Sequence, residues 1–217
     1  MQSDTEQIEI RDVRNLSLEQ LREATAMLAD AFDTEPLPRA AFSNPAGRAK
    51  ALRALFTVML EDGMRFGRVH FAYNPALVGA LVWYPPGAYP LPPSRHIRLM
   101  TQYVRMAAAD LLGCIKFLRA LAVLNRVRPK QPHCYCCCLA VAFSYQGRRV
   151  GPKLVAHFLY EVDRLRLPSY WETQKQSSVY WYRRLGGCVL HEGLELFHGG
   201  PRTWTVWREA QQANAAP

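Results

Sequence analysis

The sequence predicts one mixed α/β domain, in which helices cover a β-sheet. Strand-type alternation of polar and apolar residues and helix-type apolar spacing occur in separate segments along the chain. Of the 217 residues, 49% are hydrophobic, which is enough to build one substantial core. No internal repeat or low-complexity linker divides the chain, so a single domain over residues 1–217 is the simplest organisation.

Local signals predict the first strand and the first two helices. Residues 7–14 alternate in part between polar and apolar types, as a strand does. Ser17 followed by Gln20 matches the capping box that begins a helix, and apolar residues then recur at helical spacing. A second helix is predicted to begin at Pro45, since proline is favoured at the first helical position, and to end at Gly63.

Two strands and a helical insertion are expected next. Strands are predicted over residues 69–73 and 77–84, separated by the turn-forming pair Asn74-Pro75. The helical periodicity that follows predicts an insertion over residues 93–128. A further strand, a strand–loop–helix unit, another strand, a short helix and a final strand pair complete the expected order.

The charge balance narrows the class of partner. Lys and Arg outnumber Asp and Glu by 27 to 18, giving a net charge of +9 that suits an anionic ligand. The basic residues are scattered and form no long tract, so nucleic-acid binding is not expected. The most apolar helical stretch, residues 106–124, is interrupted by Asp110, Lys116 and Arg119, so no membrane span is expected.

The N-terminus and the cysteines indicate a compartment. Residues 1–20 are polar and acidic, where a secretory signal would have an apolar core. Six cysteines without such a signal favour reduced thiols and therefore a cytoplasmic location.

A strand, a Gly-containing basic loop and a helix follow one another in the second half of the chain. The strand is predicted over residues 133–141 and the helix from Pro152, with Arg148, Arg149 and Lys153 near the junction. The first turn of a helix has unpaired N–H groups and the positive end of the helix dipole, and glycine lets a phosphate approach the backbone. The loop therefore suits a pyrophosphate, although an ordinary turn between a strand and a helix would explain it as well.

The same loop resembles a known motif. The run Leu139-Ala-Val and the run Gln146-Gly-Arg-Arg-Val-Gly151 resemble the acyl-CoA loop of GNAT N-acetyltransferases, written Q/R-x-x-G-x-G/A. Three later runs are similar to the puromycin N-acetyltransferase-like branch: Trp171-Glu-Thr173, Tyr180-Trp-Tyr-Arg-Arg-Leu-Gly186 and Gly200-Pro-Arg-Thr-Trp204. The specific resemblance covers residues 133–208.

Three positions depart from the family pattern. Arg149 stands where the loop motif has its first glycine, which makes one close approach of the phosphate uncertain. Lys175 stands where many relatives have an asparagine that contacts the coenzyme, with Ser178 as a substitute. Gly187 stands where phenylalanine is common.

The resemblance implies a fold and a co-substrate. The fold would be that of the GNAT enzymes, with a twisted, mostly antiparallel sheet, one splayed strand pair, flanking helices and the insertion before the fourth strand. The co-substrate would be acetyl-CoA, with its pantetheine along the strand that ends at residues 139–141, and no metal is expected. The implied coenzyme-binding residues are Leu139, Ala140, Val141, Gln146, Gly147, Arg148, Arg149, Val150, Gly151, Pro152 and Ser178.

Two residues are implied for proton transfer when an amine attacks the thioester directly. Tyr182 matches the family's general-acid tyrosine, whose phenol can protonate the leaving thiolate. Glu172 matches the family's Glu before Thr and is either the base or a structural partner of a basic side chain. His133, His191 and His198 can titrate too, but a lone histidine is more often a strand or surface residue.

The cysteine cluster allows two other readings of the chemistry. Cys134, Cys136, Cys137 and Cys138 share one predicted strand, and successive strand residues point to opposite faces, so a zinc site is not expected. A nucleophilic cysteine acting by ping-pong transfer is a weaker alternative to direct attack.

The expected acceptor is the primary amine of a small molecule. Its pocket is predicted between the first two helices, the strand near Leu81 to Tyr84 and the last hairpin. Trp83, Tyr84 and the loop from Asp33 to Leu37 are expected to line it. Acetylation of a protein N-terminus or lysine is an alternative, and so is a catalytically silent acyl-CoA-binding regulatory module. The sequence does not identify the amine, and it leaves open whether the chain forms a homodimer.

Overall fold

The computed structural model describes residues 8–212. Its strands are β1 (Glu9–Asp12), β2 (Arg68–Asn74), β3 (Ala76–Tyr84), β4 (Cys134–Val141), β5 (Ser169–Thr173), β6 (Cys188–Glu195) and β7 (Arg202–Arg208). Its helices are α1 (Leu18–Phe32), α2 (Pro36–Ala41), α3 (Pro45–Phe66), α4 (Pro93–Arg98), α5 (Met100–Ala109), α6 (Leu111–Val127), α7 (Val150–Arg164) and α8 (Gln176–Arg184). The first strand was predicted over residues 7–14, but in the structure it covers only Glu9–Asp12. Gln7 lies outside the described residues.

All seven described strands belong to one sheet, in the order β1-β2-β3-β4-β5-β7-β6. Every neighbouring pair is antiparallel except β4 and β5, which are parallel. The parallel pair is short, because β4 and β5 are in register only from Cys134 and Ser169 to Cys136 and Trp171. Beyond that point the two strands separate, which confirms the predicted mixed sheet with one splayed pair.

Local signals place the starts of α1 and α3 as predicted, whereas the short helix α2 between them is not predicted. The Ser17 hydroxyl accepts a hydrogen bond from the N–H of Gln20, and the Gln20 side chain accepts one from the N–H of Ser17. This is a complete capping box at the start of α1. The Asn44 side chain caps α3 by accepting from the N–H groups of Ala46 and Gly47.

The prediction that the second helix ends at Gly63 is wrong. The helix α3 continues to Phe66 and ends at Gly67. A Cβ on Gly63 would lie 2.8 Å from Val82 Cγ1 and 3.1 Å from Val69 Cγ2. Glycine is therefore needed here for close packing of the helix on the sheet, a role that outweighs its low helix propensity.

The sheet has a core on each face. Helices α1 and α3 cover one face, where Phe56 and Leu60 pack against Phe71 and Val82. Helix α7 covers the other face, where Phe158 packs against Trp83 and Trp171. The predicted insertion consists of α4, α5 and α6, and it forms a third cluster with α2.

A buried ion-pair network attaches the insertion to the sheet and to α3. Asp62 on α3 is fully buried and accepts a hydrogen bond from the Tyr84 hydroxyl at 2.9 Å. The guanidinium groups of Arg95 and Arg98 on α4 both pair with the Asp62 carboxylate. Arg95 also donates to the carbonyl of Ala88 at 2.6 Å. The segment after β3 is therefore tied to the body of the domain.

None of the described helices is both long and apolar enough to cross a membrane.

Candidate active site

The separation of β4 and β5 opens a gap edged by unpaired backbone. The N–H of Ala142 donates to the carbonyl of Val78 on β3. Backbone groups alternate in direction along a strand, so Ala140 also faces β3, while Leu139 and Val141 face the gap. The carbonyl of Val141 accepts a hydrogen bond from the Gln146 side chain at 3.3 Å, as expected for this direction. Of the three predicted strand residues, Ala140 alone directs its backbone away from the gap.

A β-bulge in β4, just before the gap, changes which face of the sheet the following side chains occupy. The register jumps from Cys136 opposite Trp83 to Cys138 opposite Val82, so Cys137 is the extra residue. Cys134 and Cys136 lie in the core under α7, whereas Cys137 and Cys138 lie toward α1 and α3. The cysteines are therefore divided between the two faces of the sheet.

A cavity of about 520 Å³ lies at the gap. Residues 136–139 of β4 and residues 171–175 at the end of β5 border it on the sheet side. Apolar side chains of α3 and of the insertion form the opposite wall, among them Leu52, Met59, Tyr103, Met106, Phe117 and Leu121. The cavity is therefore mainly apolar and aromatic, with Glu35, Glu172, His96 and Lys175 as its acidic and basic lining residues.

Tyr182 lines this cavity from α8. Its ring stacks on Trp171 with ring centres 5.3 Å apart and planes inclined by 14°. Burial raises the pKa of Tyr182, and the thiols of Cys136 and Cys138 and the carboxylate of Glu35 raise it further. The phenol therefore keeps its proton, as a proton donor at this position must.

Glu172 also lines the cavity, but both of its oxygens are occupied. Oε1 accepts from the Arg128 guanidinium at 3.1 Å, and Oε2 accepts from the Tyr135 hydroxyl at 2.8 Å. Arg128 is itself held between aromatic rings, with its guanidinium carbon 4.2 Å from the Tyr135 ring centre and 4.6 Å from that of Tyr89. Of the two roles left open for Glu172, these contacts favour the structural one.

Glu35 is a polar cavity residue for which sequence analysis assigned no chemistry. It occupies the N-cap position of α2 without a side-chain cap hydrogen bond, and its carboxylate lies 2.5 Å from the Lys175 ammonium at the start of α8. The pair joins two loops that are 140 residues apart in sequence, and both residues line the cavity. Ser178, one turn into α8, lines the cavity as well.

The loop between β4 and α7 leaves backbone donors free. A short 3₁₀ turn over Phe143–Tyr145 leads to Gln146, and α7 begins at Val150, two residues before the predicted start. Within the described chain, the N–H groups of Val150 and Gly151 have no hydrogen-bond partner. Pro152 has no N–H to leave unpaired. The side chain of Val150 is buried in the core, so that residue offers a ligand its backbone only.

Two glycines and one arginine set the shape of the loop. Gly147 has a φ of +80°, which glycine adopts readily. Gly151 has no positive φ, and a Cβ there would meet only Val141 Cγ2 at 3.7 Å. The protein itself therefore does not require glycine at 151, and the open space above it suits a ligand that touches the backbone. Arg149 has a φ of +62°, which explains why this motif position usually holds glycine.

The other basic residues of the loop are on the surface. Arg148, Arg149 and Lys153 are exposed. The Arg148 guanidinium lies 5.0 Å from the Tyr145 ring centre. These three residues are next to Val150 and Gly151 in sequence and add positive charge near the helix start.

Some of the residues predicted to line the acceptor pocket border this cavity, but the last hairpin, β6 and β7, contributes none of its lining residues. Tyr84, Glu35 and Leu37 line the cavity. Trp83 does not, because neighbouring strand residues face opposite sides, and its indole lies under α7. Asp33 pairs with Arg48 and is not among the lining residues.

The predicted histidines are also absent from the cavity lining. His133 packs on Tyr170 and Trp207, and the His191 ring lies 3.0 Å from the Thr205 hydroxyl. For His198 the structure gives no contact that bears on its role.

One cluster of potential metal ligands occurs in the described part of the chain, formed by His70, His157 and Glu161. It lies between the sheet and α7, away from the cavity. Nε2 of His70 lies 3.0 Å from the indole nitrogen of Trp83 and 3.2 Å from Oε2 of Glu161. These contacts describe a polar patch inside the core.

Comparisons with known proteins identify the architecture. No protein-family model matches the sequence, and no curated protein sequence matches it. An acetyltransferase from Corynebacterium glutamicum related to histone acetyltransferase HPA2 superimposes with a TM-score of 0.69 at 20% identity, over 93% of this chain and 97% of that chain. Arylalkylamine N-acetyltransferase 2 from Aedes aegypti gives 0.55 at 13% identity, over 93% and 99%. The NatC complex bound to Gag peptide and CoA gives 0.52 at 14% identity, over 94% and 99%. The chain therefore has the fold of the GNAT acetyltransferases.

Proposed function

We propose that this chain is an N-acetyltransferase that moves the acetyl group of acetyl-CoA to the primary amine of a small molecule. The observation that supports this most directly is the coincidence of three features at one place. Along the gap between β4 and β5, the backbone at Leu139 and Val141 has no partner strand, the gap opens into a cavity of about 520 Å³, and Tyr182 lines that cavity.

The coenzyme fits the unpaired groups on the sheet side of the cavity. The edge at Leu139 and Val141 offers hydrogen-bonding groups to a linear diamide such as pantetheine, in the manner of an added strand. The free N–H groups of Val150 and Gly151 suit a pyrophosphate at the helix start. Gly151 supports this placement because the fold leaves room where its side chain would be. The coenzyme complex of the structurally similar NatC supports it by analogy.

The chemistry proposed for the site is direct transfer. A neutral amine attacks the thioester carbonyl, the C–N bond forms as the C–S bond breaks, and the amine proton leaves for water or a base. An N–H of the free β4 edge stabilises the negative oxygen that develops on the carbonyl. Tyr182 gives its proton to the departing thiolate. Glu172 holds Arg128 in place, so a water chain or the Glu35 carboxylate takes the amine proton.

The lining of the cavity indicates the class of acceptor. Its apolar and aromatic walls suit an amine with a compact apolar or aromatic body. The insertion covers the side where an extended peptide would need an open groove, which favours a small molecule over a protein N-terminus or lysine. The similarity to the puromycin N-acetyltransferase-like branch over residues 133–208 supports the same choice.

Ping-pong transfer through a cysteine is disfavoured at this site. Burial raises the pKa of Cys136 to about 12, and it raises the pKa of Cys137 well above the ordinary value. A nucleophilic cysteine needs its thiolate near neutral pH, and these environments stabilise the thiol instead. All six cysteines are free, in keeping with the proposed reducing cytoplasm.

Two measurements test the proposal together. Thiol release from acetyl-CoA is followed over a panel of apolar and aromatic amines, peptides with free N-termini and lysine peptides, and coenzyme binding is followed by thermal shift. We expect a clear thermal shift with coenzyme A and turnover confined to small amines. No shift at saturating coenzyme contradicts the acyl-CoA assignment. A shift without turnover on any amine favours the silent binding module, and faster turnover on peptides favours the protein acetyltransferase.

A further inference from the structure

The outer side of the insertion exposes an unusual concentration of apolar side chains. Thirteen large apolar or aromatic residues are exposed in the described chain, and seven of them lie between residues 97 and 118. Ile97 is 71% exposed and Leu112 is 72% exposed, so neither takes part in the core. We name these seven residues the insertion face: Ile97, Met100, Val104, Leu111, Leu112, Ile115 and Leu118.

The exposed residues follow helical spacing, which makes them a stripe on each helix. Met100 and Val104 are four residues apart on α5, and Leu111, Ile115 and Leu118 recur at intervals of four and three on α6. The buried side of α6 is a different set that includes Cys114, Phe117, Ala120 and Leu124. Helix α6 therefore has one apolar stripe for the core and a second one directed to the outside.

The charge of the same segment is strongly positive. Residues 93–128 contain seven Lys or Arg and one Asp, so they carry six of the chain's nine net positive charges. Arg95, Arg98 and Arg128 each pair with a carboxylate of the protein. Lys116, Arg119 and Arg126 are exposed beside the outer stripe of α6, and no described carboxylate lies within ion-pair distance of them.

We propose that the insertion face docks the protein on an anionic lipid bilayer. Helices that lie in a membrane surface combine an apolar side, which enters the acyl-chain boundary, with Lys and Arg, which bind anionic headgroups. A second copy is a poorer occupant, because a twofold contact would bring two strongly positive segments together. Leu118 lines the cavity as well, so docking places the cavity wall at the bilayer.

Vesicle cosedimentation of the full chain tests the docking directly. The protein is mixed with vesicles of phosphatidylcholine alone and with vesicles that also contain phosphatidylglycerol. We expect binding only to the anionic vesicles, and we expect added salt to weaken it because headgroup attraction is screened. Absence of binding to anionic vesicles overturns the proposal.

Paired variants separate the apolar and the electrostatic contributions. Leu112→Gln with Ile115→Gln should lower anionic-vesicle binding about tenfold by removing inserted apolar area. Lys116→Glu with Arg119→Glu should lower it at least about tenfold. The matched controls are Leu165→Gln and Lys50→Glu, which change an exposed apolar and an exposed basic residue outside the insertion.

Further measurements control for misfolding and for dimer formation. Far-UV circular dichroism and thermal unfolding should be unchanged in all variants, since each side chain is exposed. Equal binding by the insertion variants and the controls overturns the proposal. So does a concentration-dependent dimer that Leu112→Gln with Ile115→Gln abolishes, because that result assigns the insertion face to a second copy. Neither measurement requires acetyl transfer, so the docking stands or falls independently of the proposed function.

Discussion

Tyr182 and Tyr180 lie on the same short helix, but only Tyr182 faces the cavity. Tyr180 is 68% exposed, whereas Tyr182 stacks on Trp171 inside the site. We expect Tyr182→Phe to lower kcat about 10²-fold, the lower end for loss of a general acid, with little change in KM for acetyl-CoA. The matched variant Tyr180→Phe should keep full activity. Because the pKa of Tyr182 is raised, the wild-type rate should not fall at moderately alkaline pH through loss of this proton.

A steady-state comparison of the two variants decides the assignment. Unchanged kcat in Tyr182→Phe removes the proton-donor role and leaves this tyrosine as packing.

Glu172 gives a prediction about stability. Its side chain and that of Arg128 are 8% and 6% exposed, so the pair is buried. Glu172→Gln leaves the Arg128 charge without compensation and should lower the free energy of unfolding by about 3 kcal/mol. Urea unfolding measures this, with the exposed Glu23→Gln as the control. A large loss of kcat with unchanged stability would instead make Glu172 the base.

Arg149 adopts an unfavourable backbone conformation at the start of α7. Its φ of +62° is unfavourable for a residue with a Cβ, and glycine removes that penalty. Arg149→Gly should therefore raise the free energy of unfolding by about 1 kcal/mol. Arg148 has no positive φ, so Arg148→Gly should bring no such gain. Lower stability in Arg149→Gly, measured by the same urea titration, would contradict this explanation.

At the scale of elements, the β4–loop–α7 unit is tested through Gly151. Gly151→Val fills the space above the helix start, while the fold has room for the added atoms. We expect the thermal midpoint to change little and the affinity for coenzyme A to fall at least about tenfold. The control is Ala156→Val, an exposed change on the same helix. Calorimetric titration that finds equal affinity in both variants would place the pyrophosphate elsewhere.

The elements also show which features can be predicted from sequence. Ser17 with Gln20 and Asn74 with Pro75 act through neighbouring backbone, so both boundaries were predictable. The prediction that α3 ends at Gly63 is wrong because glycine is needed there for close contact with Val82, which belongs to another element.

The candidate site also has features that local sequence predicts and contacts between distant segments that it does not predict. The loop at residues 146–151 could be recognised because its motif is continuous in sequence. The pairing of Glu172 with Arg128 could not be predicted, since 44 residues separate them and no local pattern requires the contact. The link between Glu35 and Lys175 spans 140 residues and was missed for the same reason.

For the whole molecule, one carboxylate controls how the insertion is held. Asp62 is fully buried and neutralises Arg95, which is itself buried. Asp62→Asn should lower the free energy of unfolding by about 3 kcal/mol, because an uncompensated guanidinium stays in the interior. Asp30→Asn, an exposed change on α1, should cost almost nothing. If both variants unfold at the same urea concentration, the network does not hold the insertion in place.

The distribution of thiols has a practical consequence for such experiments. Cys188 is the exposed cysteine, and it lies at the start of β6, outside the residues that line the cavity. The thiols of β4 are kept unreactive by burial, which raises the pKa of Cys134 and of Cys136 to about 12. A maleimide dye should therefore attach to the native chain at one position. This gives a single fluorescent reporter without any substitution.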